Sequence, residues 1–326
     1  MFCLLEYKKC PLYGLQSKKT LRYLLNIKDT RMLKQDYVSS LVEPYIDLSG
    51  KPRLIEPPSA ELKVIQRRIK NYLGKIEVPE NVFSGIKKRS YAGNAAFHTG
   101  KGLRNLYKVD LTAFFPSITR DTVYCFFRLD MKCSPDVANI LTNLTTIDLS
   151  KASLHEPEAI KGFLAQKRVK TLNHLISGAP TSQMLSYLVN HNMFDELQSL
   201  ADKNGITMTV YVDDVTFSSE QRISHNFREK IKQIIRKYNY RISKGKVKNY
   251  TKLYPKLVTG AIIDADGQLT VKNSLRYKII LEHRNLRNNP DNIKSRQRLR
   301  GLVTAARQVN KQAYPNIRRF AFETQE

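Results

Sequence analysis

The chain has no apolar run near 18 residues, the length a membrane-spanning helix needs, so the sequence argues against a membrane protein. Its opening MFCLLEYKKC is too short and too charged for a secretory h-region, and no signal peptide is expected. Cysteine is scarce. Cys3, Cys10, Cys125 and Cys133 show no CxxC spacing, which argues against a zinc site and a disulfide framework and fits reduced thiols in a bacterial cytoplasm. Repeats, low-complexity tracts and obvious linkers are missing too, so one continuous multi-lobed unit is expected over the 326 residues. Negative charge is the largest deficit: 29 Asp and Glu face 55 Lys and Arg, a net +26. That balance points to a polyanion, most simply nucleic acid. Hydrophobic content of 41% and charged content of 26% are globular values, which argues against wholesale disorder.

Two acidic stretches stand out on this basic chain. In Met208–Phe217, MTVYVDDVTF, β-prone residues flank Asp213-Asp214, and adjacent aspartates suit a turn better than a strand interior. A hairpin there would bring both carboxylates to one end of a sheet, where their repulsion calls for a cation. In Tyr107–Ile118, YKVDLTAFFPSI, a short apolar strand ends at Asp110 before two aromatics and a proline. Alone, each has an ordinary reading, a solvated hairpin tip and a strand-end aspartate. Together, roughly a hundred residues apart, they resemble motifs C and A of a reverse transcriptase palm.

The resemblance implies that Asp110, Asp213 and Asp214 are catalytic. It implies a metal set of Asp110, Leu111, Asp213 and Asp214 holding two Mg²⁺ ions, with Mn²⁺ able to substitute. The residue types suit the chemistry. Transfer of a nucleotide to a 3′-hydroxyl needs the nucleophile ionised and the pyrophosphate neutralised, and paired Mg²⁺ ions on carboxylates do both.

Upstream, Ser17–Ile27 and Ala60–Ile76 carry apolar residues at helical spacing, and Tyr45–Ile55 reads as a hairpin turning at Ser49-Gly50. By resemblance, Arg53 and Lys51 on that hairpin grip the incoming triphosphate; a solvated basic edge is the ordinary alternative. Asn94-Ala95-x-x-His98 resembles the NAxxH signature of retron reverse transcriptases, although a buried, hydrogen-bonded Asn/His pair explains it equally well. Val258-Thr259-Gly260 resembles their VTG element, in the region assigned to recognising structured RNA. By resemblance, Phe115 sits under the sugar, where its bulk would exclude a 2′-hydroxyl, with Phe114 on the opposite face of an extended segment; a core aromatic is the ordinary alternative.

The segment Leu175–Ser186, LISGAPTSQMLS, stands in place of motif B. Gly178, Pro180 and Ser182 match it, whereas Ser177 replaces a glutamine and Gln183 a proline. Gly178 would let backbone approach the nucleotide closely. In Ile242–Val247, ISKGKV, Lys246 stands at the motif D lysine, where it could protonate the leaving pyrophosphate, with Lys244 and Lys248 as rivals. Residues 150–170 read as a surface insertion. The tail from 272 has 13 Lys and Arg against 4 Asp and Glu, on two expected helices, Ser274–Asn288 and Asp291–Asn310. Arg296 and Arg300 are its candidate RNA contacts, beside Asn94, His98, Val258, Thr259 and Gly260.

The expected fold is α+β, a right-hand polymerase: fingers at 1–105, a palm at 106–265 with an antiparallel sheet packed on helices, and a basic helical thumb at 266–326. The resemblance further implies dNTPs, a cognate noncoding RNA and its cDNA product as ligands. It also implies a branched, 2′-linked product and an effector protein in anti-phage defence. Other bacterial reverse transcriptases and a non-catalytic RNA-binding scaffold are the rival readings.

Overall fold

The computed structural model describes residues 5–83, 85–100 and 102–323. Cys3 lies outside them; Cys10, Cys125 and Cys133 are free thiols. No helix among the described residues is long and apolar enough to cross a membrane.

The N-terminal elements follow their caps. Ser17 opens the Lys18–Leu25 helix by accepting from the Thr20 amide, and Leu21 and Leu25 turn inward. Strands β1 (Tyr45–Asp47) and β2 (Arg53–Ile55) form an antiparallel hairpin with Asp47 opposite Arg53. Ser59 then caps the Ala60–Leu73 helix, which buries Leu62, Ile65, Ile69 and Leu73 as the spacing predicts.

β3 (Asn105–Asp110) runs toward the site. β4 (Thr146–Asp148) and β5 (Asn173–Leu175) pair separately, and the 150–170 stretch between them forms the Pro157–Lys167 helix. That helix rests on β1 and buries Ile160 and Leu164. β6 (Thr207–Tyr211) and β7 (Asp214–Ser219) are the acidic hairpin, and β8 (Lys248–Tyr250) follows. These make one antiparallel sheet in the order β6-β7-β3-β8.

Alternation along β3 gives the sheet two distinct faces. Tyr107 stacks on Phe217, which meets Phe227 of the His225–Lys237 helix edge-on, so this face is the apolar core. The other face carries Lys108 and Asp110 in register with Thr216 and Asp214. It is polar where a core face would be apolar, and it carries the site.

β9 (Lys256–Val258), β10 (Ala261–Ile263) and β11 (Leu269–Val271) form a second antiparallel sheet. The tail has its own core of Ile279, Leu286, Leu299, Val303, Ala306 and Ala321. Its first two helices, Asn273–Asn288 and Ile293–Val309, lie close to the expected bounds. A third, Pro315–Phe322, was not expected; proline at its first position was the available signal.

Candidate active site

The three aspartates meet because β3 and β7 are adjacent and antiparallel, with Asp110 directly opposite Asp214. Two backbone bonds hold the end of the sheet: the Leu111 amide donates to the Asp213 carbonyl at 2.9 Å, and the Ser243 amide to the Asp110 carbonyl at 2.9 Å. The turn itself is Val212-Asp213, and Val212 has φ 58°. Glycine normally takes such a position, and a β-branched residue there stores strain. Backbone strain of this kind gathers at functional sites.

Cations from the chain already face the carboxylates. The Lys246 Nζ donates to both oxygens of Asp110, at 2.8 and 2.7 Å, and the Lys108 Nζ lies 2.8 Å from Asp214 Oδ2. Asp214 Oδ1 is buried without a hydrogen-bond partner among the described residues. Burial, and then the charges of Asp110 and Asp214, push the Asp213 carboxyl up to about 6. Burial raises Asp214 as well, against the pull of Lys108. With Asp110 and Asp214 drawn to lysines, no group of three His, Cys, Asp or Glu among the described residues stands ready to hold a metal. The donor chemistry still fits a hard cation: three carboxylates, with one Asp214 oxygen orphaned and Asp213 pushed up by its like-charged neighbours.

Of the three candidate lysines, the one that reaches a carboxylate is Lys246; Lys244 is exposed and Lys248 lies within β8, opposite Lys108. The expectation for Phe114 and Phe115 needs correction. Ala113 turns left-handed at φ 46°, and Phe114–Ser117 is one helical turn rather than an extended segment. The two rings lie 6.1 Å apart, centroid to centroid, with Phe114 buried against Tyr240 and Phe115 half-buried.

At Gly178 a Cβ would lie 2.5 Å from the Glu56 carbonyl oxygen, so the bare Cα lets the chain leaving β2 pass close. The same junction holds a pair that the sequence did not disclose. Glu56 and His174 are each fully buried and meet at 2.8 Å, while the other Glu56 oxygen accepts from the Ser177 amide at 2.8 Å. Ser177 Oγ donates to the Leu54 carbonyl at 3.1 Å. The motif B segment is thereby tied to the hairpin on which Arg53 and Lys51 are exposed.

Five of the expected RNA contacts have roles inside the fold. Asn94 and His98 are buried: Asn94 Nδ2 donates to Thr259 Oγ1 at 3.1 Å, and Thr259 Oγ1 to the Tyr91 carbonyl at 2.9 Å. His98 lies between Ser218 and Thr209 on the polar sheet face, at 2.8 and 2.7 Å. Val258 is in the core, and Gly260 turns at φ 105° against the Tyr91 ring. The NAxxH and VTG elements are therefore one clamp, joining the Tyr91–Ala96 helix to the β9–β10 turn and to the sheet.

Burial holds the His98 imidazole down at about 3, against an ordinary 6.5. Its neutral form favours the fold fully above 6.5, and that contribution declines as pH falls toward 3. His98→Gln should therefore lose stability near pH 7.5 and show a shallower further loss between pH 6.5 and 4. Paired denaturant titrations check this.

Arg296 and Arg300 also make bonds within the tail. Arg296 donates to the Phe320 and Pro290 carbonyls, and Arg300 to the Ala321 carbonyl, which satisfies oxygens at the end of the last helix. Arg298 faces Glu282, and Arg307 donates to the Ala313 carbonyl.

The family described as reverse transcriptase (RNA-dependent DNA polymerase) matches residues 34–286. The chain is similar to the retron Se72 reverse transcriptase of Salmonella heidelberg, 28% identical over 57% of this chain and 42% of that protein. It is also 28% identical to the retron Mx65 reverse transcriptase of Myxococcus xanthus, over 80% of this chain and 59% of that one. With the retron Ec73 reverse transcriptase of Escherichia coli it shares 25% identity over 84% of both chains. The first two matches span about half the length of those relatives.

Proposed function

From the premise that the chain belongs to the reverse transcriptase family, we propose that it is a retron-type RNA-directed DNA polymerase. The observation that carries this reading is the pairing of Asp110 with Asp214 across β3 and β7, with Asp213 at the adjoining turn. Asp110, Asp213, Asp214 and the Leu111 carbonyl would hold two Mg²⁺, or Mn²⁺. When bound, the ions supply charge neutralisation at the nucleophile and the pyrophosphate.

The remaining roles fall to the chain's own side chains. Lys246, which contacts Asp110, would give a proton to the leaving pyrophosphate. Arg53 and Lys51 face outward to meet the triphosphate of a dNTP. Half-buried Phe115 is placed to exclude a 2′-hydroxyl, so Phe115→Val should raise ribonucleotide use relative to deoxynucleotide use about a hundredfold, read from the kcat/KM ratio for the two substrates.

The template in this reading is a cognate structured noncoding RNA, copied in part into a short single-stranded DNA with a 2′-linked branch, in a defence system with an effector protein. Resemblance to retron enzymes supports this; the site geometry supports the polymerase. The test is expression with the flanking genomic DNA, followed by a denaturing gel of extracted nucleic acid with and without debranching enzyme. A discrete short DNA whose mobility shifts on debranching is expected. Its absence, with polymerase activity retained, removes the retron reading.

A further inference from the structure

The tail arginines on which RNA contact was expected are engaged with protein oxygens, yet the chain carries a net +26. A cluster of less committed cations lies on the outside of the N-terminal lobe. An open groove runs between the Lys18–Leu25 and Ala60–Leu73 helices, and Lys19, Arg22, Arg68, Tyr23 and Tyr72 line it with no acidic side chain among its described lining residues. We propose that this groove binds single-stranded RNA, with a base stacked on Tyr23 and phosphates held by Lys19 and Arg22. The proposal rests on the polymerase reading only in naming RNA as the strand at hand.

The groove is built rather than incidental. Arg68 donates to the Leu25 carbonyl at 2.6 Å and the Tyr72 hydroxyl to the Leu24 carbonyl at 3.1 Å, so the floor also ties off the end of the first helix. Asn26, left-handed at φ 51°, returns its amide to the Arg22 and Tyr23 carbonyls, which fixes the turn that carries Tyr23. Leu21 and Leu25 anchor the opposite side of this helix in the core. Tyr23 is thus held outward and is 84% exposed. Arg22 Nε is buried without a hydrogen-bond partner among the described residues. Lys18, at the edge, is the one cation of this helix paired to an acid among the described residues, Asp136 at 2.9 Å.

A solvent-held aromatic beside cations is a stacking platform for unpaired bases, and a phosphate backbone supplies the matching charge. A duplex hides its base faces, so it would leave Tyr23 without a partner. An anionic lipid surface would meet the same cations, and the experiment separates the two.

Full-length protein carrying Tyr23→Ala or Lys19→Gln is titrated with a fluorescent single-stranded oligoadenylate while a short RNA–DNA hybrid saturates the cleft. The same variants are titrated with phosphatidylcholine vesicles containing phosphatidylserine. Tyr23→Ala should weaken RNA binding about tenfold without changing the salt dependence. Lys19→Gln should weaken it while lowering the log–log salt slope by about 0.7. Thermal midpoints and extension of the preformed hybrid should stay at wild-type values in both. Unchanged RNA affinity in both variants, or loss of vesicle binding alone, overturns the proposal. A wild-type protein that fails to extend the hybrid would count against the polymerase and leave the groove result standing.

Discussion

Replacing Asp213 and Asp214 together by asparagine is expected to lower DNA synthesis by at least about a thousandfold while RNA affinity stays within about threefold. The amide keeps the shape and removes the charge on which the proposed metals depend. A loss of folding could mimic the first effect, but the electrostatics predict the opposite. Burial and like charge hold the Asp213 carboxyl at about 6, above its ordinary 3.8. A raised carboxyl favours the fold fully below 3.8, and that contribution is lost as pH rises through 6. Near pH 7 and without metal, the ionised site therefore works against folding, by about 1–3 kcal/mol. The double variant should equal or exceed wild type in metal-free stability at pH 7, and should lack the gain wild type shows at this site on acidification to pH 5. Denaturant titrations at both pH values, alongside primer extension, check both halves. Normal synthesis by the variant would end the polymerase reading; a marked loss of stability would refute the account of the site's charge.

The second large effect lies away from the aspartates. Glu56→Ala is expected to destabilise the protein by about 3 kcal/mol or more, because it leaves His174 and the Ser177 amide without their acceptor in a fully buried place. Glu56→Gln, which keeps one acceptor oxygen but turns a donor toward the other partner, should cost less. Adding His174→Ala to Glu56→Ala should cost less than the two single losses combined, with a coupling of about 1–3 kcal/mol. The functional consequence is separate. This pair joins the hairpin bearing Arg53 to the segment bearing Ser177 and Gly178, so Glu56→Gln should raise the dNTP KM about tenfold with little change in kcat. Additive losses and an unchanged KM would reduce the pair to ordinary packing.

What the sequence disclosed was local. Ser17 announces its helix because a cap and its amide are three residues apart, and the Ala60–Leu73 helix is announced by its apolar spacing. The Met208–Phe217 hairpin is legible because its polarity pattern and its acidic turn lie within ten residues. Asp110 became legible only through family resemblance, since nothing in a lone strand-end aspartate says what it will face. Long-range pairings left no such trace. Glu56 and His174 are 118 residues apart. Asn94 was readable as a motif member, but not as the partner of Thr259, 165 residues on. A buried His98 was one of two open readings, but its partners were not legible, because the polar face that receives it, Thr209 with Ser218, is hidden among alternating β-prone residues. The bonds of Arg296 and Arg300 within the tail were hidden for a different reason. Charge predicts a polyanion, yet an arginine satisfies the carbonyls at a helix end just as well, and composition cannot separate these uses. The signal that could have helped was the third helix, whose end those arginines serve.

The most direct test of the central claim is extension of oligo-dT on poly-rA by the purified chain, with Mg²⁺ supplied or withheld. The account predicts template-dependent incorporation of dTTP that requires the ion and disappears in the Asp213→Asn, Asp214→Asn variant. A folded, RNA-binding protein that incorporates nothing with either Mg²⁺ or Mn²⁺ would contradict it.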